Sequence, residues 1–245
     1  MPLVPGRRLA RVDAHARCAA DAEGQALCWG HEYREEREIR KPWPDARVTL
    51  VAGDPENEAF CALRRDGHAL CQGDPDFGAR GNGGRDSTAR GPVDAAVRFT
   101  QLAVLWKWVC GLDERGAALC WGAAGYGDAR AGQSREGFER CERWGVHTWC
   151  NRRPAPVAGG LRFRSLVPLP HGTMPVVYRM AGITADGRAF VWGGDRRPRP
   201  WHPEHRWRSL SAADWGECGV TTRGVLFCWG RDPHDQVRGR IAHPD

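Results

Sequence analysis

Along these 245 residues one short segment returns five times with variations, its fullest form being two cysteines with nine residues between them, a glycine inside, and Trp-Gly at the end. The copies run from Cys18 to Gly30, Cys61 to Gly73, Cys110 to Gly122, Ala181 to Gly193 and Cys218 to Gly230, with internal glycines Gly24, Gly67, Gly116, Gly187 and Gly224. Self-similarity at a period of about 40–50 residues restricts a chain to repeat architectures, in which each unit covers its neighbour.

Each copy reads as a β-hairpin with a three-residue loop whose last residue is left-handed, a conformation glycine adopts without cost. With Ala22-Glu23-Gly24 as the loop, Asp21 faces Gln25, and counting outward sets Cys18 opposite Cys28. At a non-hydrogen-bonded pair the Cα atoms lie roughly 4.5 Å apart, within reach of a disulfide. The same count pairs Cys61 with Cys71, Cys110 with Cys120 and Cys218 with Cys228. In the fourth copy Ala181 and Val191 replace both cysteines at once, as a bonded pair predicts. Pairs of buried free thiols are the alternative.

Upstream of each hairpin lies another strand-like run, at residues 9–12, 47–52, 98–104, 162–167 and 206–211. Proline-containing, edge-like segments precede three of them, as in Gly91-Pro92-Val93 and Pro154-Ala155-Pro156-Val157. Three or four short strands per repeat match a propeller blade, and the alternation and glycines exclude helix-pair solenoids. The expected fold is all-β, a β-propeller of five short antiparallel blades with disulfide-stapled hairpins, forming one domain over residues 1–245. An open array would expose strand edges. The ring is therefore expected to close with the N-terminal segment near Val225 to Trp229.

The Cys-x9-Cys-Trp-Gly pattern with its mid-hairpin glycine, preceded by a Phe/Leu-x-x-Leu strand, resembles the regulator of chromosome condensation repeat, above all its bacterial, cysteine-paired version. The resemblance spans about residues 3–231. It implies a propeller, typically of seven blades, that binds proteins; relatives of this kind include a chromatin-bound nucleotide-exchange factor and a β-lactamase inhibitor. Here five repeats fill the chain, Gln72 stands in a tryptophan position, and the glycine-rich segment after Cys-Trp-Gly is barely visible. Neither activity carries over residue by residue.

The net charge of +6 comes almost wholly from arginine, because lysine occurs only at Lys41 and Lys107, and the arginines are dispersed among 30 acidic residues. Without a dense basic run, nucleic acid is disfavoured as a partner. No apolar run reaches the 18 residues of a membrane span. Five cystines belong to an oxidising compartment, periplasmic, cell-surface or secreted. Yet the segment from Met1 to Leu9 lacks the apolar stretch of a secretory signal, so the chain is mature or truncated, or stays inside the cell.

The repeated Trp29, Trp121, Trp192 and Trp229 read as packing between blades, since identical placement in each unit points to structure. Function is expected on the variable connections. If the proline strand opens each blade, the glycine turns point to one face, while the loops before the hairpins and the blade-to-blade connections share the other. On that face we place Trp106 and Trp108, the 171–178 stretch, and Trp215. The longest insertion, an arm at about residues 123–160, contains Cys141 and Cys150. A Gly145-Val146 turn would pair Trp144 with His147 and set the two cysteines opposite each other, giving a fifth stapled hairpin, an added arm outside the blades. It would present Trp144, His147 and Trp149.

Cys141-x8-Cys150 with one histidine lacks the spacing of a structural zinc site, and no haem, phosphate-loop or hydrolase motif occurs. The expectation is therefore a non-catalytic module without metal or cofactor, binding a protein partner. Glycan or surface-polymer binding is the second reading, and an enzyme with an axial pocket the third.

Overall fold

The computed structural model describes residues 8–13, 18–31, 34–54, 59–73, 76–84, 91–94, 96–123, 138–143, 146–169, 178–193, 196–213, 216–230 and 239–241. Among these the chain is all β, in five antiparallel sheets. The first sheet holds β1 (Leu9–Asp13), β2 (Cys18–Asp21), β3 (Ala26–His31) and β4 (Arg34–Arg40). The second holds β5 (Val48–Asp54), β6 (Ala59–Arg64), β7 (Ala69–Gln72) and β8 (Gly91–Pro92). The third has five strands, β9 (Phe99–Leu105), β10 (Trp108–Asp113), β11 (Ala118–Ala123), β12 (Phe138–Arg143) and β13 (Val146–Pro156), with β13 lying between β11 and β12. The fourth comprises β14 (Ser165–Leu169), β15 (Arg179–Ile183), β16 (Ala189–Gly193) and β17 (Arg196–Trp201), and the fifth β18 (Trp207–Ala213), β19 (Gly216–Thr221), β20 (Leu226–Gly230) and β21 (Gly239–Ile241).

The second and third strands of every sheet are the repeated hairpin. Cys18 pairs with Cys28, Cys61 with Cys71, Cys110 with Cys120, Ala181 with Val191 and Cys218 with Cys228. The four cysteine pairs are disulfides with Cα atoms 4.1 Å apart. Each loop closes as its glycine N–H donates to the residue three before it, for example Gly24 to Asp21 and Gly116 to Asp113, both at 3.0 Å. The Asp21 and Asp113 carboxylates also accept from the backbone N–H on the far side of the loop, at Gln25 and Ala117.

The phase of the sheets differs from the sequence expectation. The proline segments complete the sheet of the preceding hairpin instead of opening the next: Pro92 pairs with Leu70 and Pro156 with Leu119. An outermost strand needs no outward N–H, which is why proline is tolerated there. With four alternating strands, the glycine turns and the sheet-to-sheet connections share one face. The turns between first and second strands and the connections from third to fourth share the other.

The sheets join by one junction made four times. The N–H of Val48, Phe99, Phe163 and Trp207 donates at 2.7 Å to the carbonyl of Gly24, Gly67, Gly116 and Gly187 in the preceding hairpin. Between the sheets, the cystine face of one packs on the aromatic face of the next. Cys61 and Cys71 lie under Phe99, Leu102 and Trp121, and Cys110 and Cys120 under Phe163, Met180 and Trp192. Where the fourth sheet lacks a disulfide, buried Ala181 and Val191 fill the same place. Trp121 and Trp192 are thus packing residues, the latter stacked 5.2 Å from Phe163.

In the third and fourth copies the glycine after the tryptophan is required by a close approach. At Gly122 (φ 84°) an added Cβ would lie 2.0 Å from the Lys107 carbonyl oxygen, and at Gly193 (φ 139°) 2.3 Å from that of Tyr178. Gly122→Ala must move the turn before β10 as well as adopt a left-handed backbone. We expect a loss of about 3 kcal/mol or more, read as a lower urea midpoint, whereas Gly159→Ala, which meets nothing within 4 Å, should cost only its left-handed backbone, on the order of 1 kcal/mol.

Candidate functional site

The third sheet departs most from the plain repeat. Strand β13 is 11 residues long and does two jobs. Its lower half pairs with β11, through Pro156 with Leu119 to Cys150 with Ala123. Its upper half runs past the end of β11 and pairs with β12, from Phe138 with Asn151 to Arg143 with Val146. The arm is therefore a stapled hairpin, as expected, built on a continuation of the fourth blade strand, and it rises on the face away from the glycine turns.

Its pairing is shifted by two residues from the expected one. Cys141 pairs with Thr148, Glu142 with His147 and Arg143 with Val146. The cystine Cys141–Cys150 forms on the diagonal with Cα atoms 5.9 Å apart. Cys150 pairs on one side with Ala123 of β11 and on the other with Glu139 of β12.

Alternation then sorts the arm's side chains. Thr148 and Cys150 are buried, whereas His147 is exposed and Trp149 half-buried on the opposite side. His147 Nδ1 lies 3.1 Å from Glu142 Oε2, and Trp149 stands across from exposed Arg140. At the base, the Arg152 guanidinium pairs with Glu139 and donates at 2.9 Å to the Asp76 carbonyl. Glu139, Cys141 and Cys150 form the one cluster of possible metal ligands among the described residues, but both sulfurs are already spent in the disulfide.

Trp106 and Trp108 were expected as exposed binding residues, and the structure corrects this. Trp106 is 4% exposed and Trp108 is fully buried. Trp106 opens a two-residue turn with φ 55°, a strained conformation for a tryptophan. Its ring is held between Phe77 at 5.8 Å and Tyr178 at 5.3 Å, with Lys107 Nζ 4.0 Å from the Phe77 ring centre. Buried Ala123, Cys141 and Cys150 complete this cluster. Trp108 packs between the third and fourth sheets with Met180 and Trp192. Trp106 therefore supports the arm from below, whereas Trp108 belongs to the packing between sheets. Trp144 and Trp215 lie outside the described residues.

Sequence reasoning included Tyr178 in the 171–178 stretch but missed Phe77 and Arg152. The glycine-rich run from Gly78 to Gly84 was the available signal. It folds onto the third sheet, where Trp121 Nε1 donates at 3.0 Å to the Ala79 carbonyl and Gly83 N–H at 2.9 Å to that of Arg152.

Three carboxyls are held below their ordinary pKa: Asp66 chiefly by the His68 backbone N–H, Asp186 by the Thr184 hydroxyl, and Glu204 by a backbone hydrogen bond. Each sits in an exposed turn, and the three belong to separate parts of the chain. They stabilise turns and do not converge on a site.

No family model matches the chain, and no curated protein matches it. Among solved structures it is similar to yeast Prp20, an RCC1, bound to Kap60 (14% identity, 98% of this chain on 63% of that one, TM-score 0.68). It is also similar to human WBSCR16 (16%, 87% on 58%, TM-score 0.62) and to the CRINKLY WD40 ectodomain of the Arabidopsis receptor kinase ACR4 (18%, 99% on 69%, TM-score 0.56). The chain thus spans just under two thirds of the Prp20 and WBSCR16 structures. At such identities the likeness is one of fold, and the fold is that of the RCC1-type repeat propeller.

Proposed function

We propose that this chain is a non-catalytic, five-bladed propeller module that binds a protein partner through the face carrying the arm. The observation that carries this reading is the arm itself. A blade needs no fifth strand, yet here one is added, pinned by a cystine and an ion pair, and propped on a strained, buried tryptophan. Ordering a segment in advance lowers the entropy cost of binding. His147 and Trp149 are the contacts offered by the described part of the arm, with Arg140 at the rim; Trp144 and Trp215, outside the described residues, are proposed as further contacts. Solved relatives in fold point the same way: one Prp20 structure is bound to Kap60, and another is titled for binding to Gsp1p and histones. An oxidising compartment suits five cystines.

The test is affinity capture with the oxidised protein, then titration of the retained partner against Trp149→Ala. We expect about a 30-fold loss of affinity, equivalent to about 2 kcal/mol for an aromatic anchor, with an unchanged circular dichroism spectrum. Normal binding by this variant, or crosslinks mapping to the glycine-turn face, would refute the assignment. Retention of a polysaccharide in place of a protein would do the same.

A further inference from the structure

The sheet-to-sheet junction has two halves, and the structure leaves one of each unmade. The acceptor half is a hairpin glycine and the cystine face beside it. In the first four sheets a Cβ built at that glycine meets the next sheet within 3.4 Å, but at Gly224 it meets nothing within 4 Å. Among the described residues the cystine face of the fifth sheet is likewise only partly covered. Cys18, Cys61 and Cys110 are fully buried, whereas Cys218 is only partly so. Val220 and Leu226, paired on the same side of the hairpin, are half-buried, and Ser209 and Ser211 on β18 are exposed.

The donor half is an arginine followed by an apolar residue at the start of a first strand. Arg47-Val48, Arg98-Phe99, Arg162-Phe163 and Arg206-Trp207 make the four junctions, and Arg8-Leu9 repeats the pattern. The equivalence is geometric too. Leu9 pairs with Asp21, the residue that opens its hairpin, and a bulge follows, as Trp207 pairs with Thr221 before its own bulge. The carbonyl of Arg8 accepts from Ala22 N–H as that of Arg206 accepts from Thr222 N–H. Yet Val48, Phe99, Phe163 and Trp207 are at most 4% exposed, and Leu9 is 38% exposed. The expected closure of the ring, with the N-terminal segment against the last hairpin, is thus not seen among the described residues.

We propose that the fifth sheet of one copy receives the first sheet of a second copy, so that the chain assembles head to tail through the junction it already makes four times within itself. Leu9 N–H would donate to the Gly224 carbonyl, and the Leu9 side chain would cover the face of Val220, Leu226 and the Cys218–Cys228 cystine. Such a contact is heterologous, so copies add in one direction, forming a ring where the rotation closes and an open helix where it does not. This does not depend on what the arm binds.

The test is sedimentation velocity on the oxidised protein and on Leu9→Arg and Val220→Arg. Wild type should show larger species that grow with concentration. Each variant alone should be monomeric, because one half of its junction is blocked. Mixed, the two variants should form a dimer and stop there, since each retains the half the other has lost. Leu226→Glu replaces Val220→Arg should the latter not fold. Monomeric wild type at every concentration overturns the proposal, and so does a mixture that stays monomeric, the outcome expected of closure within one chain. Assembly that survives both substitutions also overturns it.

Discussion

Full reduction of this protein should unfold it. Each hairpin cystine closes a loop of sequence separation 10, for which the chain-entropy model gives about 2–3 kcal/mol. Four such bonds together contribute on the order of 10 kcal/mol, as much as the whole net stability of an ordinary domain. The loss would not be confined to the hairpins, since the cystines of the first three sheets are also the surfaces on which the next sheets rest. Tryptophan fluorescence with and without a strong reductant reads the outcome. Buried Trp108, Trp121, Trp192 and Trp207 should shift to the red on reduction, and retention of the native spectrum in reductant would contradict this account of the stability. A double Cys61→Ala, Cys71→Ala variant gives the single-sheet version, with an expected loss of about 2–3 kcal/mol.

The second large effect belongs to Trp121. It is fully buried, its ring lies 5.5 Å from Phe99, and its Nε1 donates to the Ala79 carbonyl. Its ring also occupies the space beside Gly81, where a Cβ would come within 2.6 Å of Nε1. One side chain therefore joins the aromatic face of the third sheet, the cystine face of the second and the glycine-rich segment between them. Trp121→Ala should cost about 3–5 kcal/mol through the cavity it leaves. Trp121→Phe should keep most of the packing and lose only the hydrogen bond, about 1 kcal/mol with some added cost for the carbonyl left unpaired. Urea denaturation separates the two, and equal losses would mean that Trp121 acts through the hydrogen bond alone.

The hairpins were legible in the sequence because a three-residue loop with glycine in a fixed place determines the register, and the register determines which cysteines meet. The phase of the proline segments was not legible. A short edge strand such as Gly91–Pro92 carries no signal for which of two neighbouring sheets it joins, and long-range packing decides. The arm's register failed for a related reason. A shift of two residues keeps every side chain on its own side of the sheet, so alternation alone does not separate Cys141 opposite Cys150 from Cys141 opposite Thr148. Trp106 and Trp108 alternate with Lys107 as an exposed strand would. Nothing in Trp-Lys announces a turn, and a left-handed tryptophan is the sort of local conflict that only surrounding packing imposes. The four repeated junctions leave a faint trace, an arginine before an apolar residue, whose meaning depends on seeing the glycine carbonyl it serves.

The central claim is that five cysteine pairs, each within one hairpin or arm, staple this propeller. Peptide mapping by mass spectrometry of the natively isolated protein under non-reducing conditions tests it directly. The account predicts Cys18–Cys28, Cys61–Cys71, Cys110–Cys120, Cys141–Cys150 and Cys218–Cys228 with no free thiol. Free cysteines, or bonds linking one hairpin to another, would contradict it.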